Sequence, residues 1–255
     1  MEKNTREKRI KEKNMIFGLH AVIEAVEAGK DIEKIFIRRE LGGSLAKELY
    51  EKIRLCEIPV QRVPLEKLNR LTDKNHQGVV AFISPITYQD VTSIIPTLYE
   101  EGKTPFVVVL DSVTDVRNFG AIARTCECAG VDALIVPAHK SAAANADAVK
   151  TSAGALHILP VCRTENLEKT VKFLKDSGLE IICVSEKANK NYTKESYNSP
   201  LALVLGAEDI GISPEILKLA DSKVSIPILG KIQSLNVSVA AGIVVYEAVK
   251  QRFTV

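Results

Sequence analysis

Apolar residues at helical spacing alternate with short apolar runs along most of the chain. Leu19, Val22, Ile23 and Val26 follow a helical period, and Gly29 comes after them as a stop. Ile35-Phe36-Ile37 reads as a strand ending in Arg38-Arg39. Leu45, Leu49 and Ile53 predict a helix over 44–56, and Ile58-Pro59-Val60 a short strand. Leu65–Leu71 continues as a helix and Val79–Ile83 as a strand. Such alternation predicts a small α/β sandwich.

Pro85, Pro96, Gly102 and Pro105 then interrupt the pattern, so residues 86–104 are expected to be a linker. Beyond it the predicted strands are Phe106–Leu110, Ala133–Val136, Glu180–Val184, Leu201–Leu205 and Val224–Ile226. Helices are expected near 119–129, 166–176, 214–220 and 236–251. A run as continuously apolar as Phe106–Leu110 implies a parallel sheet covered on both faces. Ligands of such sheets sit past the C-terminal strand ends, which makes those loops the place to look for chemistry. The expected layout is a tail over 1–13, a first domain over 14–85, the linker, and a second domain over 105–255.

Composition changes this picture little. The 255 residues carry a net charge of +2, so charge alone does not announce a nucleic-acid binder. The first thirteen residues hold six Lys/Arg against three acids, which makes the tail basic. Five cysteines are an odd number, and the N-terminus is charged rather than apolar. No apolar run reaches membrane length. A cytoplasmic protein with reduced thiols is expected, without membrane association. Cys126-Glu127-Cys128 has the wrong spacing for a zinc site, so no metal is expected.

The most informative stretch runs from Ser225 to Gly242. A short strand stops at Pro227 and turns through Gly230, and polar Gln233, Ser234, Asn236 and Ser238 gather where a long apolar helix begins. From Leu235 to Val249 the only charged residue is Glu247. A helix apolar on nearly every side needs cover from its own domain or from a partner subunit. One helix cap needs one Asn or Ser, not four, so a functional site is expected here.

Two other strand ends carry candidate chemistry. Asn118 is read as opening a helix after the first strand, with Arg124 in its second turn among Ile122, Ala123 and Cys126. That setting predicts a largely buried guanidinium in need of anionic or carbonyl partners. After the fourth strand, Gly206-Ala207-Glu208-Asp209-Ile210-Gly211 sets an acid between two glycines. No strand is followed by Gly-x-Gly-x-x-Gly, and no P-loop is present, which argues against a Rossmann dehydrogenase and a P-loop nucleotidase. His20, His139 and His157 are read as structural, the first and last in apolar surroundings.

Taken together, the three strand ends resemble the SpoU (TrmH) branch of the SPOUT RNA methyltransferases. The first family motif corresponds to Asn118, Gly120 and Arg124, and the second to Gly206, Glu208 and Gly211. The third corresponds to Ile226-Pro227, Gly230 and Ser234-Leu235-Asn236-Val237-Ser238. The likeness covers residues 105–252 almost without gaps and is especially similar to RlmB-type 23S rRNA (guanosine-2′-O)-methyltransferases. Gly18–Val22 and Asn75–Val79 resemble the substrate-binding domain, like ribosomal protein L30e, that precedes the catalytic domain in that subgroup. Val116 stands where many members carry proline.

The resemblance implies an α/β fold with a C-terminal trefoil knot and a mostly parallel sheet. It also implies S-adenosylmethionine as cofactor, bound through Leu205, Gly206, Gly211, Ile226, Gly230 and Leu235. Homodimerisation through the knotted domain follows, with the partner subunit supplying the residue equivalent to Arg124. The implied catalytic set is Asn118, Arg124, Glu208, Ser234 and Asn236. Arginine holds its proton above pH ~12, so Arg124 is expected to clamp a phosphate and steady the developing alkoxide. Glu208 is expected to tune Arg124 or to receive the proton through water. Arg38, Arg39, His76 and Gln77 are the expected RNA contacts, on motif position and exposure. The implied substrate is a guanosine of 23S rRNA. The same chemistry on another RNA, or a non-catalytic role in ribosome assembly, is the alternative.

Overall fold

The apolar runs of the first eighty residues close into one sheet with helices on it. The computed structural model describes residues 15–56 and 58–252 and divides into two units between Thr87 and Tyr88. The basic tail expected over residues 1–13 lies outside the described residues. The first unit contains β1 (Met15–Phe17), α1 (Leu19–Glu27), β2 (Ile32–Arg38), α2 (Ser44–Leu55), β3 (Val60–Val63), α3 (Leu65–Leu71) and β4 (Val79–Ile83). Its strand order is β1-β4-β2-β3, with β2 and β3 parallel and the other pairs antiparallel.

Strand alternation sorts the side chains of this sheet. Ile35, Ile37, Val79 and Ala81 face α1 and α2, packing on Val22, Ile23, Val26, Leu49 and Ile53. Val80 faces the other way with Val63 and Leu68 of α3, and Met15, Phe17, Phe36 and Phe82 are only partly buried there. β3 starts later than Ile58-Pro59-Val60 suggested. Proline has no N–H for the ladder, and Pro59 only accepts a bond from Ile35 N–H.

The second unit contains α4 (Val91–Glu100), β5 (Phe106–Asp111), α5 (Val116–Cys128), β6 (Ala133–Pro137), α6 (Ala146–Thr151), β7 (Val161–Thr164), α7 (Leu167–Asp176), β8 (Glu180–Val184), β9 (Lys190–Asn191), β10 (Leu201–Gly206), α8 (Pro214–Leu219), β11 (Ser222–Ser225) and α9 (Val237–Arg252). Its seven strands are ordered β7-β6-β5-β10-β8-β11-β9, and every neighbouring pair is parallel. All of β5 is buried, as its continuous apolar run requires.

The expected linker is corrected here. Residues 91–100 form a helix, capped by the Asp90 side chain on Thr92 N–H. Val91, Ile95 and Leu98 are buried in the same core as β5, β8 and β10. Pro96 forfeits one helix hydrogen bond, and burial of the residues around it outweighs that loss. On the sheet's other face α5 packs against both α6 and α9. Gly120 makes the first of these contacts close, because a Cβ there would lie 2.7 Å from the Ala148 carbonyl oxygen and 2.8 Å from Thr151 Cβ.

Candidate active site

From β5 the sheet grows one way through β6 and β7, and the other way through β10 and β8. The β5/β10 boundary is therefore a topological switch point, where loops diverge and leave a crevice. The loop after β5 is shaped by Asp115, whose carboxylate accepts from Arg117 N–H and Asn118 N–H and caps α5. Asn118 is thus not the cap that the sequence suggested. It lies inside the first turn, which leaves its amide free to reach across the crevice.

That amide meets the loop after β10 and the start of α9. Asn118 Nδ2 donates to Glu208 Oε1 at 3.0 Å, and Asn236 Nδ2 donates to Asn118 Oδ1 at 3.0 Å. Asn236 Nδ2 also reaches Glu208 Oε1, which accepts from Val237 N–H at 3.1 Å as well. One carboxylate oxygen therefore joins all three strand-end motifs. Glu208 Oε2 takes no hydrogen bond among the described residues. Asn236 is a helix cap too, since its Oδ1 accepts from Ser238 N–H at 3.0 Å and from the Ser238 hydroxyl. Capping and site building, which the sequence posed as rival readings, belong to one side chain.

Two cavities share the Glu208 wall. The first is an open cleft of about 620 Å³ lined by Leu205, Gly206, Gly211, Ile212, Ile226, Ser234, Leu235 and Val237 among others. It gathers five of the six residues expected to hold a cofactor, and Ser234 with them. Gly230 is exposed and does not line it. Gly206 is fixed by contact: a Cβ there would sit 2.1 Å from the Gly211 carbonyl carbon and 2.3 Å from Ile212 N. The second cavity, on the other side of Glu208, is lined by Val113, Thr114, Asp115, Asn118, Ala207, Asp209 and Val237.

Asp111 was missed by sequence reasoning because the predicted strand stopped at Leu110 and the partner of its carboxylate lies 102 residues away in sequence. It is buried, and its Oδ2 accepts from Ser213 N–H at 2.7 Å, tying the loop after β10 back to β5. An acid closing an apolar strand at a switch point was the available signal.

Arg124 departs from expectation. It is exposed, and it makes no hydrogen bond or ion pair among the described residues. Six helical residues separate it from Asn118, which places it about 9 Å along and about 120° around the helix axis. Glu208, Asp115 and Asp209 in turn have no Lys or Arg partner among the described residues. Among the described residues, Arg124 is thus a cation without an acid, and the acids at the site lack a cation.

The first unit corrects two further expectations. His76 is only 8 % exposed. Its Nδ1 accepts from Gly78 N–H at 3.0 Å, so Nε2 carries the proton and donates to Asn69 Oδ1 at 2.9 Å. Gln77 is exposed, but its Oε1 accepts from Leu19 N–H at 3.0 Å and caps α1. These residues hold the turn together, while Arg38 and Arg39 are exposed as expected. His20 and His157, expected in apolar surroundings, are exposed, as is His139, which lies 3.2 Å from Glu165. Cys126, Cys162 and Cys183 are buried, and burial pushes each thiol up to about 12, so they are inert. No His/Cys/Asp/Glu cluster suited to a metal occurs among the described residues. No helix there is long and apolar enough to cross a membrane.

Comparison with known proteins fits this geometry. Residues 105–246 match the SpoU rRNA methylase family. The chain belongs to the SpoU methylase family. Residues 15–89 match a second family, the substrate-binding domain of RNA 2′-O ribose methyltransferases. A Staphylococcus saprophyticus protein named as a TrmH family tRNA/rRNA methyltransferase is 35% identical over 94% of this chain and 97% of its own length. The similarly named YacO of Bacillus subtilis is 30% identical over 93% and 95%. Among solved structures, the SpoU methyltransferase AviRb from Streptomyces viridochromogenes, in complex with the cofactor AdoMet, is similar at 25% identity and a TM-score of 0.60. That match covers 94% of this chain and 91% of that one. This SpoU methylase is an RNA methyltransferase, and the segments after β5, β10 and β11 meet at Glu208.

Proposed function

We propose that the protein transfers a methyl group from S-adenosylmethionine to a ribose 2′-hydroxyl of RNA, at a guanosine of 23S rRNA. The observation that carries this reading is the junction of Asn118, Glu208 and Asn236 between two cavities, one for a cofactor and one for a nucleotide. The first cleft fits the cofactor. Leu205, Ile212, Ile226, Leu235 and Val237 offer apolar walls to a planar base, and Gly206 lets the Gly211 backbone pack against it in the same wall. Bound there, S-adenosylmethionine supplies an electrophilic methyl group.

The chain's own residues would position the hydroxyl and manage its proton. Asn118 and Asn236 hold Glu208 Oε1, which leaves Oε2 as the oxygen able to take a proton through water. Ser234 lies on the cleft wall and would orient the loop against the nucleotide. Asp115 and Asp209 line the second cavity as acceptors, and guanine presents adjacent N–H donors on its pairing edge. Those carboxylates favour guanosine.

A second copy of the chain completes the site. On α9, Val237, Ala241, Val244, Val245 and Ala248 are buried, whereas Val239 and Tyr246 are about half exposed. Both faces are apolar, so the outer face together with the adjoining α5 is the dimer surface. Arg124 of α5 would then enter the partner's acidic site, clamp an RNA phosphate and stabilise the developing alkoxide. The return of the chain from β11 to α9 is the segment that would close the trefoil knot, and the first unit would select the RNA.

Tritium transfer from S-adenosylmethionine to unmodified rRNA and tRNA, with the labelled nucleotide mapped, tests the reading. Label on one 23S guanosine 2′-hydroxyl supports it. Label on tRNA or on an adenosine refutes the target and keeps the chemistry. No label on any RNA, with cofactor binding confirmed, refutes the activity.

A further inference from the structure

The first unit's sheet has two unequal faces. Two helices, α1 and α2, cover one face. Within the first unit the seven-residue α3 packs on the other. That second face is not polar, as a wet face of an antiparallel sheet ordinarily is. It carries Phe17 on β1, Phe36 on β2 and Phe82 on β4, all partly exposed. Phe36 and Phe82 meet edge to face with ring centroids 5.8 Å apart.

The rings pack on Val63, Leu68 and Val80 on their inner side, and lysines lie over two of them. Lys67 Nζ is 4.8 Å and Lys34 Nζ 5.8 Å from the Phe36 centroid, and Lys74 Nζ is 5.4 Å from that of Phe17. All three lysines are exposed, so the ring faces are reached from solvent. A lysine on an exposed ring contributes little and leaves readily when a better partner arrives. Aromatic rings on an open sheet, fringed by mobile cations, match the needs of unpaired nucleotides: bases stack on the rings while the lysines turn to phosphates.

We propose that this face, built on Phe17, Phe36 and Phe82 with Lys34, Lys67 and Lys74, is a stacking platform for single-stranded RNA. It differs from the loop carrying Arg38, Arg39, His76 and Gln77, two of which are engaged in holding their turn. The proposal rests on the reading of the protein as an RNA methyltransferase and names where unpaired substrate bases are gripped. A duplex hides the faces of its bases and has nothing to offer these rings.

The test uses the full chain and a fluorescein-labelled twelve-nucleotide RNA of mixed sequence, alone or annealed to its complement, followed by anisotropy. The parent should bind the single strand more tightly than the duplex. Phe36→Leu keeps the apolar bulk and removes the ring, and should weaken single-strand binding about tenfold while duplex binding stays put. Lys67→Gln alters only an exposed side chain, so folding is spared; it should weaken binding and lower the slope of log affinity against log salt by about one. S-adenosylmethionine binding and the melting temperature should be unchanged in Lys67→Gln. Single-strand affinity within twofold of the parent in both variants would overturn the proposal, as would a parent that prefers the duplex; either outcome leaves the face to a protein partner. Because binding is read without methyl transfer, a failure to find the methylated nucleotide would count against the activity and not against this surface.

Discussion

Glu208 and Asn236 are joined by a hydrogen bond from the Asn236 amide to Glu208 Oε1, and the adjacent Val237 N–H reaches the same oxygen. The start of the last helix is therefore held by the loop after β10, and Asn118 adds the end of β5 to the same point. Glu208→Gln replaces an acceptor with a mixture of donor and acceptor facing two amides and a backbone N–H. Methyl transfer should fall by about 10²-fold, in line with the loss of one preorganised polar group. The melting temperature should drop by about 2–4 °C. Calorimetry beside a single-turnover assay checks both.

Gly206→Ala tests the cofactor cleft. The new Cβ would stand 2.1 Å from the Gly211 carbonyl carbon, which is backbone and cannot swing aside. Stability should fall by about 2–4 kcal/mol. S-adenosylmethionine affinity should fall as well, because the Gly206–Gly211 loop forms the cleft wall. Urea melts and isothermal titration measure the two effects separately.

Arg124→Ala should leave folding and cofactor affinity as they are, since the side chain is exposed and makes no hydrogen bond or ion pair among the described residues. Turnover should be abolished. A loss of cofactor affinity in titration would contradict the role assigned to Arg124.

Glu195 predicts an acid limb of stability. Burial raises its pKa, but the Lys190 ammonium, the Ser222 hydroxyl and Ser196 N–H outweigh burial and hold it below the ordinary 4.5. A depressed carboxyl pKa stabilises the fold at pH above the unfolded value, and that contribution is lost as pH falls through the folded value. Glu195→Gln should therefore cost about 1–2 kcal/mol at pH 7, and the gap from the parent should close below pH 4.5. Urea melts across pH 3–7 follow the convergence.

The sequence revealed elements where one physical signal dominated. Phe106–Leu110 reads as a central strand because five apolar residues in a row leave no alternative. β7 was not legible, since Val161-Cys162 gives way at once to Arg163-Thr164. β9 has two residues, Lys190 and Asn191, and α6 reads as a loop of small residues. α4 was hidden by Pro96. At the site, the polar cluster around Asn236 was visible, but its partners lie 28 and 118 residues away in sequence, and pairing at that range comes from topology. Arg124 was misjudged because its sequence neighbours are buried while its own position on the helix faces out. His76 looked like an exposed contact because its bonds to Asn69 and Gly78 depend on the shape of the turn.

The central claim is a methyl-transfer site centred on Glu208 and completed by Arg124 of a second copy. Mixing the inactive Arg124→Ala protein with the Glu208→Gln protein, which keeps about one hundredth of the activity, under conditions of subunit exchange, then measuring tritium transfer to unmodified rRNA, tests it most directly. A heterodimer has one site with both residues intact, so activity should return to about one quarter of the parent's on statistical exchange. No recovery, with subunit exchange confirmed by mass, would contradict a shared site.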